Sequence, residues 1–245
     1  MPINLLEMAL QVFMDQSIFQ KQKEIFVAEC RLKRPEFINY YEFPCLNDDT
    51  ATTGFDPHYV YHVAWAVNKI FQAKPNEHVD VSSSLHFCTA IAAFTKTTFI
   101  DFRPATLQLD NLNCIAGDLN EAGQWKNREF ESLSCMHVVE HIGLGRYGDP
   151  LSVETDIVAM DNLINATKSG GRLLFVVPVG KAEIYFNAHR VYSATWLVNF
   201  FSKACRLNEF YLIPSSSQVP PMLNCDLSTA DQFTYACGCF EFIKF

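Results

Sequence analysis

The chain has 245 residues, 49% hydrophobic and 19% charged, enough apolar material for a large core, which excludes disorder as its main state. Nineteen lysines and arginines against 27 aspartates and glutamates give a formal net charge of −8. A surface that acidic repels a polyphosphate backbone and excludes nucleic acid as the expected partner.

In chain order, residues 3–28 place Leu5, Leu6, Ala9, Leu10, Phe13, Ile18 and Ile25 near helical spacing and predict an amphipathic helix. A loop with Pro35, Pro44 and Asn47-Asp-Asp-Thr50 follows. Asp56-Pro57 then supplies an N-cap and a first-turn proline for a helix reaching about Phe71, and Pro75 ends it. From His78 the pattern changes to strands alternating with helices. Strands are predicted at 79–81, 97–102, 112–116, 130–139 and 172–177, and helices at 85–95 and 156–167, the latter ended by Gly170-Gly171. Ser193 caps a further helix bearing Trp196, Leu197, Phe200 and Phe201. Strands buried on both faces and separated by helices indicate an α/β fold with a doubly wound, mostly parallel sheet. Two late strands, 209–213 and 233–245, imply an antiparallel addition at one edge. The expected organisation is an N-terminal helical appendage over residues 1–75, serving as a lid or a dimer contact, and a sheet domain over 76–245.

The most apolar run, Leu173–Val179, is far short of the roughly 20 residues of a membrane span. The first residues lack the basic stretch and long apolar run of a secretory leader, so a cytoplasmic location is expected. The nine scattered cysteines agree: Cys88, Cys114, Cys135, Cys237 and Cys239 lie in apolar runs, as buried free thiols do in a reducing compartment. Cys237-Gly-Cys239 has the spacing of neither a zinc knuckle nor a redox pair and reads as core.

Ligands of open parallel sheets bind beyond the carboxyl ends of the strands. The residues expected there are Asp80 with Ser82 to Ser84, then Asp101, Asp118, the segment 137–149 and the segment 179–190. An acidic group at the second strand end suits ribose hydroxyls, and one at the third suits an adenine amino group; each alone also reads as a solvated carboxylate. Three acidic strand ends in order, then a glycine-terminated helix and an apolar strand, resemble the class I S-adenosylmethionine-dependent methyltransferases over about residues 76–245. The late strands fit that family's seven-stranded sheet. The segments Met136-His-Val-Val-Glu-His-Ile-Gly-Leu-Gly-Arg-Tyr-Gly-Asp149, Val179-Gly180 and Phe186-Asn-Ala-His-Arg-Val-Tyr-Ser193 resemble an uncharacterised, methyltransferase-like bacterial family, whose members are expected beside surface-polysaccharide genes. The resemblance departs in the first loop, where Ser82, Ser84 and His86 stand at the usual glycine positions and His86 would crowd the methionine end unless it turns away.

The resemblance implies that S-adenosylmethionine is the cofactor, held by Asp80, Ser82, Ser83, Asp101, Asp118 and His137. It implies O-methyl transfer to a small or saccharide acceptor, with His141 or His189 as base and Arg146, Asp149, Asn187 and Arg190 orienting the acceptor. Gly143–Asp149 reads either as a loop held by an Arg146–Asp149 pair or as a substrate loop over the site. His189 reads as a base or as a clamp on the loop backbone. His137-Val-Val-Glu-His141 also spells an inverted zinc-protease motif, but glycines at 143, 145 and 148 stop any long helix. His58 and His62 sit four residues apart with no third ligand nearby in sequence, so no metal is expected. The rivals are a non-catalytic binding or scaffold protein with a degenerate cofactor loop, and a nicotinamide oxidoreductase, for which the Gly-x-Gly-x-x-Gly turn is missing.

Overall fold

A computed structural model describes residues 5–46 and 48–245. Its contacts divide it into two compact units, 1–54 and 55–245. In the first unit, helix α1 runs over Leu5–Lys33. Of the apolar face predicted for it, Phe13, Ile18 and Ile25 are exposed, whereas the side chains of Leu5, Leu6, Ala9 and Leu10 lie outside the described residues, as do residues 1–4 and Asn47 of the predicted loop. No helix among the described residues is long and apolar enough to cross a membrane.

The second unit begins two residues before α2 (Pro57–Ala73), so this helix groups with the sheet and not with α1, although Pro75 had placed the expected boundary after it. Asp56 caps α2 by accepting from the backbone N–H groups of His58 and Tyr59, and Lys74 closes it in the left-handed conformation just before Pro75. The following elements are β1 (Glu77–Val81), α3 (Leu85–Ala92), β2 (Lys96–Asp101), β3 (Leu112–Ala116), α4 (Ala122–Trp125), β4 (Phe130–Met136), α5 (Thr155–Ala166), β5 (Thr167–Val179), β6 (Glu183–Tyr185), β7 (His189–Val191), α6 (Ala194–Phe201), β8 (Cys205–Pro214), β9 (Met222–Leu223), α7 (Leu227–Ala230) and β10 (Ala236–Lys244). The sheet order is β3-β2-β1-β4-β5-β10-β8-β9, with β6 and β7 forming a separate hairpin.

Seven of these strands form the predicted mostly parallel sheet, and the two-residue β9 adds an eighth at the edge, pairing with Tyr211 and Leu212 of β8. The late strands β8 and β10 form the expected antiparallel pair beyond β5, with β10 inserted between β5 and β8 and running against both, and β9 in turn runs against β8. The two glycines also differ from expectation. α5 already ends at Ala166, and Gly170 (φ +75°) and Gly171 sit inside β5, where the β4–β5 register shifts. A side chain at Gly171 would meet the Phe130 carbonyl oxygen at 2.9 Å, so the bulge requires glycine there.

Two cores flank the sheet. Ala159, Leu163, Leu197 and Phe201 from α5 and α6 cover one face, and Trp65, Ile70, Phe87 and Ile91 from α2 and α3 the other. β5 and β10 are buried on both faces over most of their length, which explains their nearly unbroken apolar sequences.

Candidate functional site

The chain reverses direction across the sheet at β1, which pairs in parallel with both β2 and β4. A cavity of about 320 Å³ opens beyond the carboxyl ends of these strands and of β3. Ser82, Asp101, Asp118, His137, His141 and Asp149, all expected at the site, line it together with Phe102, Arg103, Gly117 and Tyr147. Asp80, Ser83, Arg146, Asn187, His189 and Arg190 are not among its lining residues.

The first loop achieves its turn with serines. Ser82 adopts φ +55°, a conformation that usually selects glycine, and both its N–H and its hydroxyl donate to the Ile100 carbonyl of β2, at 2.9 and 3.2 Å. The Ser83 hydroxyl accepts from the Met136 N–H at the end of β4, and Ser84 caps α3 by accepting from Phe87 N–H. His86 is exposed and is not among the residues that line the cavity. The crowding anticipated from its position does not occur.

Asp80 lies beneath this loop, wholly buried. One carboxylate oxygen accepts from Ser83 N–H at 3.0 Å and from the Cys88 thiol at 3.5 Å, and the other accepts from the Ser134 hydroxyl. His78, equally buried, continues the network with Nε2 at 2.9 Å from the Ser134 oxygen and Nδ1 at 2.8 Å from that of Ser132. Because Ser134 donates to Asp80, it accepts from Nε2–H, so His78 is neutral with its proton on Nε2. Burial raises the Asp80 carboxyl to about 6 and lowers His78 to about 3. Asp80 thus shapes the loop from behind.

Asp101 and Asp118 are half-buried at successive strand ends. Each uses one oxygen on a local backbone N–H, that of Arg103 at 2.7 Å and of Asn120 at 2.8 Å, which fixes the carboxylate and leaves its remaining acceptor positions for a ligand. Two carboxylates on adjacent strands, with the Phe102 ring beside them, suit the hydroxyls and exocyclic amino group of a nucleoside. The donor set therefore fits an adenosine-bearing group.

The glycine loop is held by backbone bonds and not by an Arg146–Asp149 pair. Asp149 accepts from the N–H groups of Gly143 (2.7 Å), Tyr147 (3.2 Å) and Gly145 (3.3 Å). Partial burial raises its carboxyl, but these N–H groups outweigh that and leave it below the usual carboxylate range. Gly143 has φ +80°, and a side chain on it would lie 2.3 Å from the Ser152 carbonyl oxygen, so the tight path admits only glycine. Arg146 donates to the Ala188 carbonyl at 3.2 Å and lies over Tyr147, whose ring also carries Arg103. Arg190 is 6% exposed, donates to the carbonyls of Ile142 and Ser152, and approaches Asp156 at 3.5 Å, so its role is to fasten this loop to the β6–β7 hairpin. Asn187, in the hairpin turn, is exposed.

His141 uses Nδ1 on the Ala188 carbonyl at 2.6 Å, leaving Nε2 facing Glu140 at 3.8 Å. His189 is half-buried with its ring 6.5 Å from that of His141, and burial lowers its pKa, which keeps the imidazole neutral. His137 has φ +57°, and its Nδ1 lies 2.9 Å from Glu140. Its other nitrogen points at Cys237, 3.5 Å away, with His62 completing a group of three. Nothing in the sequence pattern joins His62 to Cys237; the period of two along β10, which turns Cys237 and Cys239 to the α2 face, was the available signal. Phe102 and Arg103 were also overlooked, although they follow the Asp101 strand end directly.

Residues 108–211 match the model of a family described as Caenorhabditis protein of unknown function, DUF268. No curated protein sequence matches the chain. Among solved structures, the N-methyltransferase NodS from Bradyrhizobium japonicum WM9, in complex with S-adenosyl-L-homocysteine, superposes with a TM-score of 0.57 at 15% identity, covering 81% of this chain and 93% of its own. YcgJ from Bacillus subtilis gives 0.53 at 10% identity, covering 76% and 98%. The Burkholderia thailandensis 1,6-didemethyltoxoflavin-N1-methyltransferase gives 0.51 at 10%, covering 80% and 93%. The chain has the class I S-adenosylmethionine-dependent methyltransferase-like fold and is related, across residues 108–211, to the DUF268 family.

Proposed function

We propose that the protein is an S-adenosylmethionine-dependent methyltransferase acting on an oxygen of a small or saccharide acceptor. The observation that carries this reading is the cavity at the ends of β1–β4, with Asp101 and Asp118 at its wall and His86 not among its lining residues.

Asp101 would hold the ribose hydroxyls, Asp118 the adenine amino group, and the Ser82–Ser84 turn the amino-acid end, with Asp80 fixing that turn from below. When bound, the cofactor supplies an electrophilic methyl group on a sulfonium. The chain's own residues must bring the acceptor oxygen in line and remove its proton. His141 lines the cavity with the His189 ring 6.5 Å away, and His189, whose pKa burial lowers, would accept that proton. Tyr147, between the guanidinium groups of Arg103 and Arg146, and the Asp149-held loop close the acceptor side. Of the expected appendage over residues 1–75, only the part before α2 would serve as a lid or dimer contact.

The reading is tested by isothermal titration of the full chain with S-adenosylhomocysteine. Saturable one-to-one binding is expected, and the absence of heat at millimolar ligand would refute it.

A further inference from the structure

His62, His137 and Cys237 come from α2, from the end of β4 and from β10, yet their ligand atoms all lie within 4.8 Å of one another. A tetrahedral zinc site with nitrogen and thiolate ligands needs separations of about 3.3–3.6 Å between ligand atoms. The His137 Nε2 to Cys237 Sγ distance, 3.5 Å, already has that value. His62 requires only a small shift to join them.

The surroundings are those of a ligand set. His62 has Nδ1 on the His58 carbonyl at 2.6 Å, which fixes its ring and leaves Nε2 as the ligand atom. His137 has Nδ1 on Glu140 at 2.9 Å, the carboxylate–imidazole arrangement that orients metal-bound histidines. Glu140 is 1% exposed, and its second oxygen has no hydrogen-bond partner among the described residues. His62 is 2% exposed, and with Nδ1 engaged on the His58 carbonyl its Nε2 keeps a lone pair for coordination.

The geometry points to a transition-metal site, with zinc as the ion of best match, held by His62 Nε2, His137 Nε2 and Cys237 Sγ. Two imidazoles and a thiolate suit zinc among the common divalent ions. The Cys237 thiol proton leaves to solvent as the ion binds. Three protein ligands leave a fourth position for water or for an acceptor atom, the pattern of zinc sites that take part in chemistry. His137 also lines the cavity at the strand ends, so the ion would stand beside it. The assignment does not depend on the methyltransferase reading, because it rests on the three ligand atoms alone.

The test uses the full chain, stripped with a chelator and titrated with Co²⁺ and then Zn²⁺. One equivalent of Co²⁺ should bind with a thiolate charge-transfer band in the near ultraviolet and intense visible bands of a tetrahedral site, and Zn²⁺ should displace it. Cys237→Ser should remove the charge-transfer band. His62→Gln should change the visible bands. Glu140→Gln, which alters only the group behind His137, should weaken zinc binding about 10–100-fold while keeping the charge-transfer band. Circular dichroism checks that each variant is folded. A folded wild-type chain that binds no stoichiometric Co²⁺ overturns the assignment, whatever the variants do. So does a charge-transfer band that survives in Cys237→Ser, or a visible spectrum indifferent to His62→Gln.

Discussion

The Arg190 guanidinium donates to the carbonyl oxygen of Ile142 at 2.6 Å. The same side chain reaches the Ser152 carbonyl at 3.4 Å and Asp156 at 3.5 Å, so one arginine ties β7 to both ends of the glycine loop. Arg190→Met would leave Asp156, 4% exposed, without its cation. The expected loss is about 3–5 kcal/mol of folding stability. Urea denaturation measures it, and a loss below about 1 kcal/mol would mean that Arg190 is not a fastener.

Asp101 should behave in the opposite way. It is half-buried at a strand end and its carboxylate faces the cavity, so Asp101→Ala should leave the melting temperature nearly unchanged. S-adenosylhomocysteine affinity should fall about 10–100-fold, the loss that accompanies a charged hydrogen-bond acceptor. Titration of both proteins at one salt concentration decides it.

Asp80 predicts a pH dependence. Its folded pKa, about 6, stands above the unfolded value of 3.8, so the folded state holds the proton more tightly. The stability from this group is fully present below about pH 4 and is lost as pH rises through about 6. Asp80→Asn cannot titrate. The stability difference, wild type minus variant, should therefore fall between pH 4 and 7, by at most about 3 kcal/mol. Buried His78, with its pKa lowered to about 3, acts in the reverse direction in both proteins, favouring the fold above its unfolded pKa, and cancels in the difference. Denaturation series at several pH values would show the slope, and a flat difference would contradict the assignment.

Ser82 predicts a tolerance pattern. Glycine at φ +55° relieves left-handed strain but loses the hydroxyl bond to Ile100 and gains unfolded-state freedom, so Ser82→Gly should change stability by less than about 1 kcal/mol. Ser82→Val retains the strain and adds a β-branch, and should cost about 2 kcal/mol or more. Thermal melts of the two variants separate the cases.

How far the sequence reveals this molecule depends on the range of the forces involved. β3 was legible at both ends, because a stretch of five residues, four of them apolar, stops at Gly117-Asp118, and the Ser193 cap of α6 was legible because capping is local. Asp101 and Asp118 were found for the same reason, as polar residues that end strands. Asp80 looked identical to them, but Ser134, 54 residues away, and the Ser83 N–H turn it inward, and no local pattern encodes that choice. Arg190 was read as a ligand grip because its carbonyl partners belong to a loop 38–48 residues earlier. His62 and Cys237 meet only because the last strand enters the middle of the sheet beneath α2, a topological event that no short-range spacing reports.

Glu241 of β10 is 1% exposed and is met by Arg172 of β5 at 2.9 Å and by Lys69 of α2 at 3.3 Å. Lys69 also reaches Glu209 at 2.6 Å, and Trp65 donates to that same carboxylate at 2.8 Å. Withdrawing α2 would take away one of the two cations of Glu241 and uncover Trp65, Ala66 and Ile70, which are buried in the core on that face. The helix that carries His62 is in effect a fixed wall. Substitutions at Lys69 or Arg172, far from the strand-end cavity, should therefore loosen the geometry around His62 before they unfold the chain.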